Sequence, residues 1–237
     1  MNSKGKLYGI GVGPGDPELI TIKAKRILEE VDYIAIPKTA GDKQSLALSI
    51  AQGIVGENKN VIELIFPMSY DENLLDESWN DAALKVMEKL DDGKNVAFIT
   101  LGDPTVYSTY IYLHKDLKKK GYDTEIIPGV TSFCACAARA GVSIAENRQT
   151  VAIVPSAYDC ENIDDVLSSF DNVILMKVSK NLEGLKERLK EKGLLEKSVL
   201  VSKCGLPDEK IEYGSDFIES GKTSYFTTMI IKKGGVD

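Results

Sequence analysis

Apolar runs and amphipathic stretches alternate along most of this chain. Residues 7–12 (LYGIGV) predict a short strand, and 17–30 follow with Leu19, Ile22, Ile27 and Leu28 at helical spacing among charges. Tyr33-Ile34-Ala35-Ile36 reads as a strand stopped by Pro37, then 45–54 as a helix, 61–65 as a strand and 76–90 as an amphipathic helix. Val96-Ala97-Phe98-Ile99-Thr100 is apolar almost throughout, the pattern of a strand covered on both faces in a parallel sheet. A helix is expected over 105–119. Further strands are expected at 123–127, 150–154, 172–178 and 198–203, with helices over 131–140, 163–170 and 182–191. The tail breaks this rhythm, because 210–213 and 224–232 read as strands with no long helix between them, which predicts an antiparallel finish. Charge rises and a helix stops at Lys118-Lys119-Lys120-Gly121, the expected junction. The fold class read from this pattern is α/β, two αβα domains with mixed sheets, spanning 1–120 and 121–237.

Composition narrows the function. The 237 residues carry 29 Lys+Arg against 36 Asp+Glu, a net charge of −7. That excludes a general nucleic-acid binder, yet a local cluster of cations can still take an anionic small molecule. No apolar stretch approaches the roughly 20 residues that span a bilayer, and the opening Met-Asn-Ser-Lys-Gly-Lys has no signal-peptide character. A cytoplasmic protein without a membrane partner is expected. Cys134, Cys136, Cys160 and Cys204 contain no CxxC pair and read as buried, reduced thiols.

Three glycine turns carry the candidate chemistry. Gly11-Val12-Gly13-Pro14-Gly15-Asp16-Pro17 joins a strand to a helix, with Asp16 as cap and Pro17 as first helical residue. It invites a dinucleotide reading, since Asp32 lies where a ribose-binding acid would stand. Against this, the spacing is GxGxGD instead of GxGxxG, and Pro14 lacks an N–H that a phosphate-cradling loop uses. Leu101-Gly102-Asp103-Pro104-Thr105 repeats the glycine, capping Asp and Pro after the strand at 96–100. Ile127-Pro128-Gly129-Val130-Thr131-Ser132 is the third, with Thr131 or Ser132 as the cap of the next helix. Each alone is a helix cap. Two Gly-Asp-Pro turns after two apolar strands suggest a shared crevice.

In this order the three segments resemble the signature of the tetrapyrrole methylases, a family that includes the corrin-ring methyltransferases, uroporphyrinogen-III methyltransferase and diphthine synthase. The resemblance runs from Leu7 to about Lys232. It implies homodimers that hold S-adenosylmethionine, folded, in a cleft between two α/β domains. Carried over onto this chain, the cofactor contacts would be Pro14 in the first loop, Gly102 and Asp103 in the second with Val106 one turn on, and Thr131 and Ser132 in the third. Met176, Cys204 and Thr228 would complete them, Cys204 standing where relatives commonly have Ala or Gly. Pro128 to Phe133, Ala137-Ala138-Arg139-Ala140-Gly141, Val151 to Pro155 and Ser224-Tyr225-Phe226-Thr227 further resemble the branch that methylates C-20 of precorrin-2 or cobalt-factor II in cobalamin synthesis.

Methyl transfer from a sulfonium is an in-line displacement that needs aligned reactants and no nucleophilic side chain. A chain with a single histidine suits it. His114, beside Tyr112, Leu113 and Lys115, reads as structural, and no protein-bound metal is expected. Loss of a ring proton after methylation could use Asp103, Tyr107 or a water as base, so no residue is assigned as catalytic. A polycarboxylate tetrapyrrole asks for cations and a flat apolar surface, for which Lys38, Tyr107, Arg139 and Arg148 are the candidates, with Lys177 beside them. Other open readings are a sibling methylase acting at another ring position, diphthine synthase, a nicotinamide-dependent oxidoreductase and a non-catalytic nucleotide-binding module.

Overall fold

The computed structural model describes residues 3–39, 45–67, 72–155, 160–218 and 224–236, with the side chains of 72–75 and 217–218 excepted. It divides into two compact units, Met1–Thr131 and Ser132–Asp237.

The first unit is built on β1 (Leu7–Gly11), β2 (Tyr33–Lys38), β3 (Asn60–Ile65), β4 (Val96–Thr100) and β5 (Thr124–Ile127), in the order β3-β2-β4-β1-β5. Every pairing in it is parallel. Mixing of strand directions, expected in both sheets, is therefore confined to the second. The expected division at 120 also moves. β5 pairs with β1 from Leu7↔Thr124 to Ile10↔Ile127, so the first sheet needs the segment beyond 120 to complete its edge. The charge at Lys118–Lys120 marks only the end of a helix, turned by Gly121 at φ +83°.

Four helices cover this sheet: α1 (Ile22–Glu30), α2 (Leu46–Val55), α3 (Glu72–Asp91) and α4 (Tyr110–Lys119). Ala24, Ile27 and Leu28 of α1 and Ala47, Ile50 and Ala51 of α2 are buried with Ile10, Ile34, Ile36, Ala97 and Ile99. Val86 and Leu90 of α3 and Leu113 and Leu117 of α4 bury the alternate positions Leu7, Ala35, Leu64, Val96 and Phe98. Successive strand side chains point to opposite faces, so the two helix pairs lie on opposite sides of the sheet.

Two helices start later than expected. Thr21 is itself an N-cap, its Oγ1 accepting from Ala24 N at 3.2 Å, so the stretch 17–30 splits into a 3-10 turn (Pro17–Leu19) and α1. The split rotates Ile22 out of the expected stripe and leaves it 89% exposed. The helix expected from 105 begins at Tyr110, because a capped turn and Tyr107 at φ +49° occupy the residues before it. Pro37 does not stop its strand: β2 runs on to Lys38 where it has only β3 beside it.

Asp32 precedes β2, at the end of the sheet opposite the glycine turns. Its carboxylate accepts from Asn95 N at 2.9 Å and from Lys94 Nζ at 3.2 Å. The acid that could have bound a nicotinamide ribose is thus tied to the start of β4. The Asn95 N–H, helped by Lys94, outweighs desolvation and holds Asp32 below its ordinary 3.8. A depressed folded value adds stability that is complete above the unfolded value and is lost as pH falls through the folded one. Thermal melts from neutral pH into acid should therefore separate wild type from Asp32→Asn, with the gap closing below pH 3.8. A gap independent of pH would remove this role.

The second unit holds β6 (Val151–Val154), β7 (Asn172–Met176), β8 (Ser198–Ser202), β9 (Lys210–Tyr213) and β10 (Thr227–Lys232), in the order β6-β7-β10-β8-β9. β6 and β7 are parallel, and the remaining pairs are antiparallel. The expected antiparallel finish lies at the centre, since the last strand inserts between β7 and β8. On one face Ile163 and Leu167 of α6 (Ile163–Ser169) and Leu182, Leu185 and Leu189 of α7 (Leu182–Glu191) pack with Val173, Leu175, Leu200, Met229 and Ile231. α5 (Ser132–Arg139) packs against β10. Among the described residues no helix is long and apolar enough to cross a membrane.

Candidate functional site

In the first unit the three glycine turns follow β1, β4 and β5, which are neighbours, so all three meet at the carboxyl edge of one sheet. The chain leaves β1 for α1 on one face and β4 for α4 on the other. Between two such strands an open α/β sheet forms its ligand crevice. There Gly102 N donates to Gly13 O at 2.8 Å, and Gly13 N to Gly102 O at 3.3 Å. Both glycines have positive φ, +77° and +67°. The third turn presses in as closely: a side-chain carbon on Gly11 would stand 2.4 Å from Gly102 O and 2.8 Å from Gly129 N. Glycine is required here by contact of backbone with backbone.

Asp103 fastens this junction. It is 7% exposed. One carboxylate oxygen, Oδ1, accepts from Thr105 N at 2.8 Å and from Thr105 Oγ1 at 2.5 Å. The other, Oδ2, accepts from Gly129 N at 2.9 Å. The expected cap is present, but it closes a turn, and its second oxygen reaches across to the third loop. Pro14 and Val106 are half-buried beside this junction in the sequence, and Thr131 and Ser132 lead into α5. The Thr131 hydroxyl oxygen is buried without a hydrogen-bond partner among the described residues. A buried hydroxyl in that state needs a polar partner, either water or a ligand atom.

In the second unit Met176 and Thr228 are cross-strand partners in the β7–β10 register. By the alternation of strand side chains both lie on the face away from the α6–α7 core. Cys204 follows the end of β8, between Lys203 at φ +53° and Gly205 at φ +77°. The Cys136 and Cys204 side chains interact, and Thr228 also acts on Cys136. The Cys204 contact and burial push the Cys136 thiol far up, while the same contact holds Cys204 down. Met176, Cys204 and Thr228, placed apart in the sequence, are therefore brought together at one end of the second sheet, with Cys136 beneath them. All four cysteines are free, but of the four expected to be buried only Cys136 and Cys204 are: Cys134 is exposed and Cys160 half-buried. Iodoacetamide on the native protein should label Cys134 first and Cys136 only on unfolding, as read by peptide mass spectrometry. Equal rates at the two would contradict this burial.

The expected substrate residues divide. Lys38 stands at the carboxyl end of β2, its Nζ 2.8 Å from Glu63. Tyr107 is 55% exposed in the second turn, on a left-handed backbone uncommon for an aromatic residue. Arg148 is exposed, with no ion pair among the described residues. The Lys177 ammonium lies 5.3 Å from the Tyr225 ring centroid. Arg139, at the far end of α5 from Thr131, gives its Nε and Nη2 to Glu209 Oε1 at 2.7 and 2.6 Å. His114 is half-buried, with its ring against Tyr110, in keeping with a structural role.

Sequence reading missed Gly129 as a contact, Cys136 and Glu209. Of these only Gly129 had a signal, as the glycine preceding a cap in the third of three like turns.

Comparison with known proteins bears on this arrangement. The model of the Tetrapyrrole (Corrin/Porphyrin) Methylases matches residues 6–215. The Cobalt-precorrin-2 C(20)-methyltransferase of Salmonella typhimurium is 38% identical over 97% of this chain and 97% of its own. The Probable cobalt-precorrin-2 C(20)-methyltransferase of Methanocaldococcus jannaschii is 38% identical over 96% of each. Among solved structures, uroporphyrin-III C-methyl transferase of Thermus thermophilus, complexed with S-adenyl homocysteine, superposes with a TM-score of 0.68 at 18% identity, covering 97% of this chain and 98% of its own. With its three glycine turns gathered on one sheet edge and its sequence matched over nearly its whole length, the chain belongs to the tetrapyrrole (corrin/porphyrin) methylase family.

Proposed function

We propose that this protein transfers a methyl group from S-adenosylmethionine to C-20 of precorrin-2, with cobalt already in the ring, during cobalamin synthesis. The observation that carries the reading is the carboxyl-edge junction of three glycine turns with a buried, unpartnered Thr131 hydroxyl beside it. The names of the relatives at 38% identity support C-20 and the cobalt-bearing ring. Membership of the family supports the donor, a homodimer and a cytoplasmic setting.

When bound, the donor supplies an activated methyl on a sulfonium. This chain's own residues have to bind and orient. Gly102 and Asp103 offer backbone at the second turn, with Pro14 and Val106 as apolar contacts. Thr131 and Ser132 offer hydroxyls to the donor's polar groups, and Met176, Cys204 and Thr228 are the candidate contacts within the second unit. Alignment of this kind accounts for much of the rate in a displacement whose leaving group is already activated. On the acceptor side Arg148 and Lys38 take ring carboxylates, and Tyr107 offers an aromatic face. Asp103 is a poor base for the departing ring proton, since both its oxygens already accept hydrogen bonds from the protein.

The test is incubation with S-adenosylmethionine and either precorrin-2 or its cobalt complex, locating the new methyl by mass and NMR. A methyl on C-20 of the cobalt complex is expected. A methyl on another carbon overturns the ring position, and preference for the metal-free ring overturns the cobalt assignment. Failure to bind S-adenosylhomocysteine at millimolar concentration in calorimetry overturns the donor.

A further inference from the structure

We propose that Glu209 is a positioning residue for the methyl donor, holding the Cys204 loop in place against α5 through Gly205 and Arg139. This rests on the donor site proposed above, in which Cys204 is a contact. The loop leaves β8 through two residues with positive φ, Lys203 at +53° and Gly205 at +77°. Lysine seldom adopts that conformation, so the loop needs contacts to hold it. Lys203 N donates to Phe226 O at 2.7 Å, and Glu209, at the loop's far end, ties Gly205 to α5 with its two carboxylate oxygens. Its Oε2 accepts from Gly205 N at 2.7 Å, and its Oε1 accepts from Arg139 Nε and Nη2 at 2.7 and 2.6 Å. The carboxylate side chain is 11% exposed and the arginine 61%, so the acid is the inner partner of the pair. Burial pushes the Glu209 carboxyl up, but Arg139 and the Gly205 N–H outweigh it and keep the group ionised.

Two more contacts tie the same helix to the same segment. The Cys136 side chain interacts with Cys204 one turn before Arg139, and one residue after it the Tyr213 hydroxyl donates to Ala140 O at 2.7 Å. One side of α5 is thereby joined to residues 204–213 at successive levels. The helix opens on Ser132 and the loop carries Cys204, so the clamp sets the distance between two proposed donor contacts. It also gives Arg139 work other than binding a substrate carboxylate.

The experiment compares wild type, Glu209→Gln and Arg139→Ala by calorimetry with S-adenosylhomocysteine, and by steady-state kinetics with S-adenosylmethionine and cobalt-precorrin-2. Glutamine cannot accept from both Arg139 and Gly205 through separate oxygens, so it turns an amide donor toward one of them. Glu209→Gln should weaken S-adenosylhomocysteine binding and raise the donor KM by about tenfold, with the tetrapyrrole KM within about twofold of wild type. Arg139→Ala leaves the Gly205 bond intact and should move the donor KM alone, by about threefold. It provides the test if Glu209→Gln does not fold. Donor affinity equal to wild type in a folded Glu209→Gln chain overturns the proposal, as does an Arg139→Ala chain altered only in its tetrapyrrole KM. Wild type that binds no S-adenosylhomocysteine overturns the donor site itself, which separates the two failures.

Discussion

An Asp103→Ala chain should bind S-adenosylhomocysteine roughly 100-fold more weakly than wild type while both sheets persist. Removal of the carboxylate leaves the Thr105 and Gly129 N–H groups without their acceptor in a buried junction. Each such loss costs about 1–3 kcal/mol. In the free variant the second and third turns relax to find water, and binding must then draw them together again. Most of the cost thus appears as lost affinity, and the remainder as a lower melting temperature. Asp103→Asn is the finer variant because it keeps size and hydrophilicity. Its amide must face either Gly129 N–H or Thr105 N–H, two donors opposed, and a loss of about tenfold is expected. Calorimetry with S-adenosylhomocysteine reads both. Affinity equal to wild type in the alanine variant would remove Asp103 from the site altogether.

Most strands were legible because their signal is local. Val96 to Thr100 is apolar in every position that a sheet covered on both faces requires, and it is a strand. The glycine turns were legible as turns for the same reason, from a capping acid followed by proline. What they do to one another was not. Gly11, Gly102 and Gly129 touch only because β1 lies between β4 and β5, an order fixed by pairing across the chain. The junction at 120 was misplaced for a related reason. A charged helix end looks alike whether a domain stops there or one more strand returns to the sheet. Arg139 shows the limit on side chains: its guanidinium could be noted as a candidate for an anion, but its anion is Glu209, seventy residues on. The late start of α4 belongs to the site itself, where Asp103 draws its oxygens away from the helix and the backbone turns left-handed at Tyr107. Local propensity yields first where a binding loop needs the room.

Gly129→Ala should be strongly destabilising and should damage the junction of the three turns directly. An added carbon would lie 2.2 Å from Gly102 O and 2.7 Å from Gly11 C and O. These are backbone atoms of the two other turns, so no side chain can swing aside, and the end of β5 or the Gly13–Gly102 pairing has to shift. Overpacking against backbone of this kind costs roughly 3 kcal/mol or more. At about 2–4 °C per kcal/mol for a chain of this length, the melting temperature should fall by roughly 6–12 °C. Donor binding should disappear with it, since the Gly129 N–H can no longer reach Asp103. Gly121→Ala is the control, because that glycine has φ +83° and open space around it. Alanine there meets only backbone strain of about 1 kcal/mol and should leave donor affinity unchanged. If the two variants melt and bind alike, glycine at 129 serves only the conformation of its own turn. The contact of the three loops would then not be what shapes the donor site.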